Sequence, residues 1–370
     1  MKRSIALILI LGILLTGCSG WLDASYSNVT PNKEDVGYQP NQSLSVSSYS
    51  GLYQTMQELV GNGTQSAVLS VANYDQNVVA EDANRAISQL ISTDPIAAYA
   101  VEQITFELGT NAGQPALALT IRYLHDRTDI LKIRPLEDMA GVEEAVAKSL
   151  RSCNSGVVLY VSHFTQMDFE QWVRDYGAEH PDVVMEVPAV VENIYPETGD
   201  ARVVELKFTY QNSRDALRTM QTKVASLFDA AMIYAGDNED VIDQYFKLYS
   251  FLIGLFQQFQ LDTSITPAYS LLQHGVGDSR AFAMVYAAMC KKTGLECVMV
   301  TGTKNAEPWY WNIIGCDGVY YHVDLVAMQQ TDDFVLKTDG EMVGYVWDYS
   351  AYPPCTGQEV PPTEETTEQQ

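Results

Sequence analysis

The chain has 370 residues, 46% of them hydrophobic, and its 22 Lys and Arg against 47 Asp and Glu leave a formal charge of −25 at pH 7. That balance excludes binding to nucleic acid or to anionic polymers through bulk charge, and no nucleic-acid partner is expected. Length and apolar content together support two or three domains with cores of their own.

The chain opens MKRSIALILILGILLTGCSG. Lys2 and Arg3 precede an apolar run from Ile5 to Leu15 that is short for a bilayer span and has the length of a signal-peptide core. Leu15-Thr16-Gly17-Cys18 resembles the lipobox of bacterial lipoproteins. That resemblance implies removal of residues 1–17, a lipid on the Cys18 thiol, and an extracytoplasmic protein held to the bacterial cell membrane through that lipid. Residues 18–50 are rich in Ser, Asn, Gln, Tyr and Pro without apolar periodicity, so they read as a flexible tether reaching on the order of 30 Å.

Two stretches then share one pattern. AVLSVANY (67–74), EDANRAISQLISTDP, YAVEQITFELG and ALALTIRYLHD are followed later by GVVLYVSHF (156–164), FEQWVRDYGAEHP, VVENIYPETG and VVELKFTYQNS. Tyr74 pairs with Phe164, Ile104 with Ile194 and Tyr123 with Tyr210 at nearly constant spacing. Each copy predicts helix, strand, helix, strand, strand, with the second helix ending at Asp94-Pro95 or His180-Pro181. We therefore expect two duplicated α+β modules, 51–140 and 141–213, and nothing in them looks catalytic.

Two long helices follow between 214 and 260, the second capped by Asp237 or Asn238. After Thr266-Pro267 the pattern predicts a helix over 279–293, strands ECVMVTG and WYWNIIG, the turn CDG, and a strand VYYHVDLV. The last residues, 356–370, are polar and acidic and read as a disordered tail.

This third region resembles the transglutaminase-like superfamily, which shares the papain-like cysteine protease fold. The resemblance is carried by Phe282-Ala283 inside the helix, Gly294-Leu295 at its end, Val300-Thr301-Gly302, Trp311-Asn312, and Asp317-Gly318 with Tyr320 to Asp324. It implies an α+β domain over 214–355 in which a helix carries a nucleophile against an antiparallel sheet, with a Cys, a His and an Asp as the catalytic set. Ser279 stands at the Cys position, Trp309 at the His position, and only Asp324 matches.

A serine needs a base, because a helix dipole cannot lower its pKa enough at neutral pH. The Trp309 indole only donates. Of the five histidines, His125, His163 and His180 fall in the modules and His274 in the entry to the helix. His322 shares a strand face with Asp324, which makes it the alternative base in a rebuilt Ser279, His322, Asp324 site. The plain reading of Asp278-Ser279 is a helix cap.

GDS-type lipases are excluded by the lack of an Asp followed three residues later by His, and GxSxG, P-loop, dinucleotide, HExxH and EF-hand patterns are absent. Cys153, Cys290, Cys297, Cys316 and Cys355 make an odd set without metal spacing, so no metal or cofactor is expected. The expected function is binding or scaffolding at the cell surface, on a cell-wall peptide, a glycan or a protein, by a domain without catalysis. The alternative is a surface peptidase, amidase or acyltransferase using Ser279 with His322 and Asp324.

Overall fold

A computed structural model describes residues 44–133, 135–236, 240–258, 266–331 and 333–357. Cys18 and the tail beyond Gly357 lie outside the described residues. The fold is mixed α+β, in two compact units that divide between Leu131 and Lys132.

In the first unit β1 (Leu44–Ser45), α1 (Tyr49–Gly61), β2 (Ser66–Ser70), α2 (Val79–Thr93), α3 (Pro95–Ala100), β3 (Val101–Asn111) and β4 (Gln114–Tyr123) follow in order. The sheet order is β1-β2-β4-β3, with β1 parallel to β2 and the other pairs antiparallel. Residues 44–50 are thus part of the unit and not of a tether: Leu44 lies opposite Leu69, and the Ser48 hydroxyl caps α1 by accepting from the Gly51 N–H. Asp94 ends α2 and also starts α3, its Oδ1 accepting from the Ala97 N–H with Pro95 in the first turn. Leu52 and Met56 of α1, Ala83 and Leu90 of α2, and Leu69, Leu117 and Leu119 of the sheet fill the core.

The second unit opens with β5 (Pro135–Leu136), α4 (Met139–Arg151), β6 (Gly156–Val161), α5 (Phe169–Glu179), β7 (Ala189–Tyr195) and β8 (Arg202–Thr209). Its sheet, β5-β6-β8-β7, has the same order and the same strand directions as the first. Because Pro135 and Leu136 pair with Tyr160 and Val161, the break between the two stretches falls at 131, not at 140. The buried Leu117, Leu119 and Ile121 of β4 match the buried Val204, Leu206 and Phe208 of β8. Ile104 faces Ile121, whereas Phe208 faces Val190. Val190 therefore takes the place of Ile104, and the Ile104–Ile194 match is four residues out of register.

The unit continues through α6 (Arg214–Ala235), α7 (Val241–Leu255), β9 (Gln257–Gln258), α8 (Pro267–His274), β10 (Val276–Gly277), α9 (Ser279–Lys292), β11 (Cys297–Lys304), β12 (Glu307–Cys316), β13 (Val319–Val323), α10 (Leu325–Thr331) and β14 (Tyr345–Trp347). The cap of α7 is Asp240, whose carboxylate accepts from the Ile242 and Asp243 N–H groups, instead of Asp237 or Asn238. The second sheet of this unit is antiparallel in the order β13-β12-β11-β14.

Helix α9 lies against that sheet and buries Phe282, Val285, Tyr286, Met289 and Cys290. The Tyr245 hydroxyl of α7 sits 2.5 Å from Glu296 O and 2.9 Å from Gly315 O, and Tyr286 donates to Tyr245 O, which fastens both helices to the sheet's end. Residue 213 is not a domain border. Cys153 and Met185 share a core with Leu217, Phe228 and Phe282, and the Thr266 N–H donates to Met185 O. The buried Glu186 carboxylate holds the entry to α6 by accepting from the backbone N–H groups of Gln211 and Asn212.

Candidate functional site

Asp278 caps α9: its Oδ1 accepts from the Ala281 N–H at 2.9 Å. Ser279 is consequently the first helical residue and not the cap. Its side chain is 5% exposed, and Oγ accepts from the Tyr310 N–H of β12 at 3.3 Å. Gly277 lets the chain turn tightly into α9, since a Cβ there would sit 2.8 Å from Ala281 Cβ. Asn312 Nδ2 donates to Ala283 O at 3.0 Å and pins the same strand to the same helix two residues further on.

Next to Tyr310, Trp309 turns its indole N–H to Asp324 Oδ2 at 2.8 Å. Asp324, at the join of β13 and α10, is 4% exposed. Its Oδ1 accepts from the Ala327 N–H at 3.0 Å, so the carboxylate caps α10. Its Oδ2 also accepts from Tyr345 OH at 2.5 Å and from Lys304 Nζ at 3.2 Å. The Lys304 ammonium lies 4.8 Å from the Trp309 ring centre and 5.0 Å from that of Tyr345. Burial, with the adjacent Asp324 charge, pushes the Tyr345 phenol far above its ordinary pKa, so it remains a donor.

Ser279 is thus bonded to the backbone of Tyr310 and Asp324 to the indole of Trp309, two adjacent residues of β12. Lys304 and Tyr345 complete the cluster and were not singled out by sequence. The one available signal was Gly302: a Cβ there would lie 2.3 Å from Val346 O, so only glycine lets β14 pair at that point.

His322 stands elsewhere. Val323 joins the core on the α9 side, and alternation turns His322 to the opposite face, into Trp311, Tyr345, Trp347, Met342 and Cys355. It is 0% exposed, with both ring nitrogens engaged: Trp311 Nε1 donates to Nδ1 at 2.9 Å, and Nε2 faces Asp339 Oδ1 at 2.8 Å. His322 is therefore not available to Ser279 as a base. The partners of Ser279, Trp309 and Asp324 include no imidazole; among the other histidines, His163 pairs with Asp200, His180 ends α5 against Tyr176, His125 stacks on Tyr99, and His274 closes α8.

His322, Asp339 and Cys355 bring one N, one O and one S donor within 4.8 Å of one another. The donor set suits a transition metal, but the hydrogen bonds do not. An indole can only donate, so Nδ1 is the acceptor and Nε2 carries the proton toward Asp339. A metal at Nε2 would require the opposite tautomer, with Nδ1–H forced against the indole N–H. Burial and the Asp339 charge also push the Cys355 thiol up to about 12, away from the thiolate a metal needs. The five described cysteines are free thiols, with Cys153, Cys290 and Cys355 buried.

No protein-family model matches the chain, and no curated protein matches its sequence. Among solved structures it is similar to a TGase at 9% identity, covering 66% of this chain and 71% of that one with a TM-score of 0.26. A protein assigned as a cysteine protease from Cytophaga hutchinsonii is 13% identical, covering 43% of this chain and 70% of that one with a TM-score of 0.25. One assigned as a protease from Parabacteroides distasonis is 8% identical, covering 60% of this chain but only 35% of that one, with a TM-score of 0.24. The likeness is remote at these values.

Burial holds the His322 pKa below the ordinary 6.5, with Asp339 opposing the shift in part. As pH falls below 6.5 the unfolded chain takes up this proton before the folded one, so stability is lost toward acid. We predict that His322→Gln costs about 2 kcal/mol at pH 8, where neutral His322 makes both bonds, and that the deficit shrinks below pH 6.5. Urea unfolding of both proteins across this range measures it; a deficit that does not change with pH would contradict the assignment.

Proposed function

We propose that the unit from Lys132 onward carries, around residues 214–355 and with Cys153 and Met185 in its core, a transglutaminase-like domain that has lost catalysis and serves in binding or scaffolding outside the cell. The observation that carries this reading is the 2.8 Å bond from Trp309 Nε1–H to Asp324. Acyl transfer through Ser279 needs a lone pair positioned to take the hydroxyl proton. The side chain at that position is an obligate donor, and it already spends its one proton on the carboxylate that would have oriented a base. Lys304 does not replace the base, because an ammonium likewise has no acceptor. Ser279 is buried against backbone, which fits a residue that supports α9.

The two sheets of identical order read as copies of one module that extend the surface available to a partner. The lipobox-like Leu15–Cys18 supports a position on the outer side of a bacterial cell membrane, with a lipid on Cys18 as the tether. Among the described residues no helix is long and apolar enough to cross a membrane. A cell-wall peptide, a glycan or a protein is the ligand this reading names.

Purified protein is expected to leave a fluorophosphonate probe unreacted and to show no amidase, protease or amine-transfer turnover beyond that of Ser279→Ala. Labelling at Ser279, or turnover lost in Ser279→Ala, would sink the reading. In bacteria fed a labelled fatty acid, the protein should carry label and Cys18→Ala should not; equal labelling of the two would remove the anchor from the account.

A further inference from the structure

A carboxylate as buried as Asp324 needs donors, and among the described residues its ion pairing is with Lys304. The surroundings of that ammonium are specific: a carboxylate oxygen at 3.2 Å and two ring centres at 4.8 and 5.0 Å. Two aromatic faces with an anion are the means by which proteins hold organic ammonium ions. The walls do not depend on the lysine for their position. Trp309 and Tyr345 are each bonded to Asp324, Asp324 is fixed by α10, and Tyr345 packs edge-on to Trp311 at 5.3 Å. Lys304 differs from them in kind. It is the last residue of β11, beside the left-handed Asn305 and Ala306, and its long side chain is 24% exposed.

We propose that Trp309, Tyr345 and Asp324 form an ammonium-binding cage filled from within by Lys304, and that the ligand of this domain presents an alkylammonium group that takes the cage when Lys304 turns out. The group belongs either to a lysyl side chain of a partner protein or to a free amine. The inference rests on the reading of the domain as a binding module, and it gives the Asp324 carboxylate a ligand-facing role beside its structural one. Lys304 acts as a competitor: a lysine seated nine-tenths of the time weakens an outside ammonium about tenfold.

The test is titration of wild type, Lys304→Ala and Lys304→Ala with Trp309→Leu against n-butylammonium, n-butanol and Nα-acetyl-lysine methylamide. The readouts are calorimetry and the Trp309 indole N–H resonance. Butylammonium should bind Lys304→Ala at least about tenfold more tightly than wild type, move that resonance, and lose affinity in the double variant, while butanol binds none of them. Tighter binding of the lysine derivative assigns the cage to a partner's lysine, and tighter butylammonium to a free amine. If Lys304→Ala folds poorly, its melting temperature should rise with butylammonium and not with butanol, and wild type at high butylammonium should still show the indole shift. Equal affinities for wild type and Lys304→Ala, or equal effects of butanol and butylammonium, would overturn the cage. Those results would leave the non-catalytic reading intact, since that reading stands on the fluorophosphonate and turnover assays.

Discussion

The Asp324 carboxylate is the point on which this end of the protein depends. One oxygen caps α10, and the other collects Trp309 from β12, Lys304 from β11 and Tyr345 from β14. Three strands and a helix are thereby tied to a single buried charge. Hydrogen bonds to an ionised group are worth more than neutral ones, and a buried carboxylate left with fewer partners would be costly. This gives the residue a structural reason to stay in place without any catalytic one.

The sheet separates two environments that adjoin in sequence. On one side α9 buries Phe282, Val285 and Met289 and presents Ser279 to the backbone of Tyr310. On the other, Trp311, His322 and Asp339 form a line of hydrogen bonds inside an aromatic cluster with Trp347, and the backbones of Asp339 and Cys355 close the chain's last described turn onto it. A histidine one residue from the helix-facing core is thus kept from the serine by the pleat of one strand. Its proton is committed to holding the C-terminal segment in place.

Much of this was legible in the sequence. The alternation in WYWNIIG and VYYHV, joined by Asp317-Gly318, marked a hairpin, and both turn residues do adopt positive φ. The apolar run after Asp278 marked α9, and the repeated strand and helix patterns marked three of the four strands in each of the first two sheets, while β1 and β5, two residues each, gave no signal. What escaped has physical causes. β14 has three residues, too few to show a period, so Tyr345 gave no signal. Nothing local marks Lys304, because two of its partners, Asp324 and Tyr345, lie well beyond the hairpin it opens. The same-face rule for His322 and Asp324 said nothing about which face Ser279 would meet. The shared core around Cys153 and Met185 was hidden because apolar residues do not reveal which layer they will join.

In the proposed reading, a donor stands where acyl transfer through Ser279 needs an acceptor. This is tested most directly by the rate of iodoacetamide alkylation at pH 7 in Ser279→Cys alone and in Ser279→Cys combined with Trp309→His. A thiol at the start of α9 beside an imidazole that Asp324 can orient should form thiolate far more readily than one beside an indole. The combined variant is expected to react at least about tenfold faster than the single one. Equal rates in the two would contradict that reading.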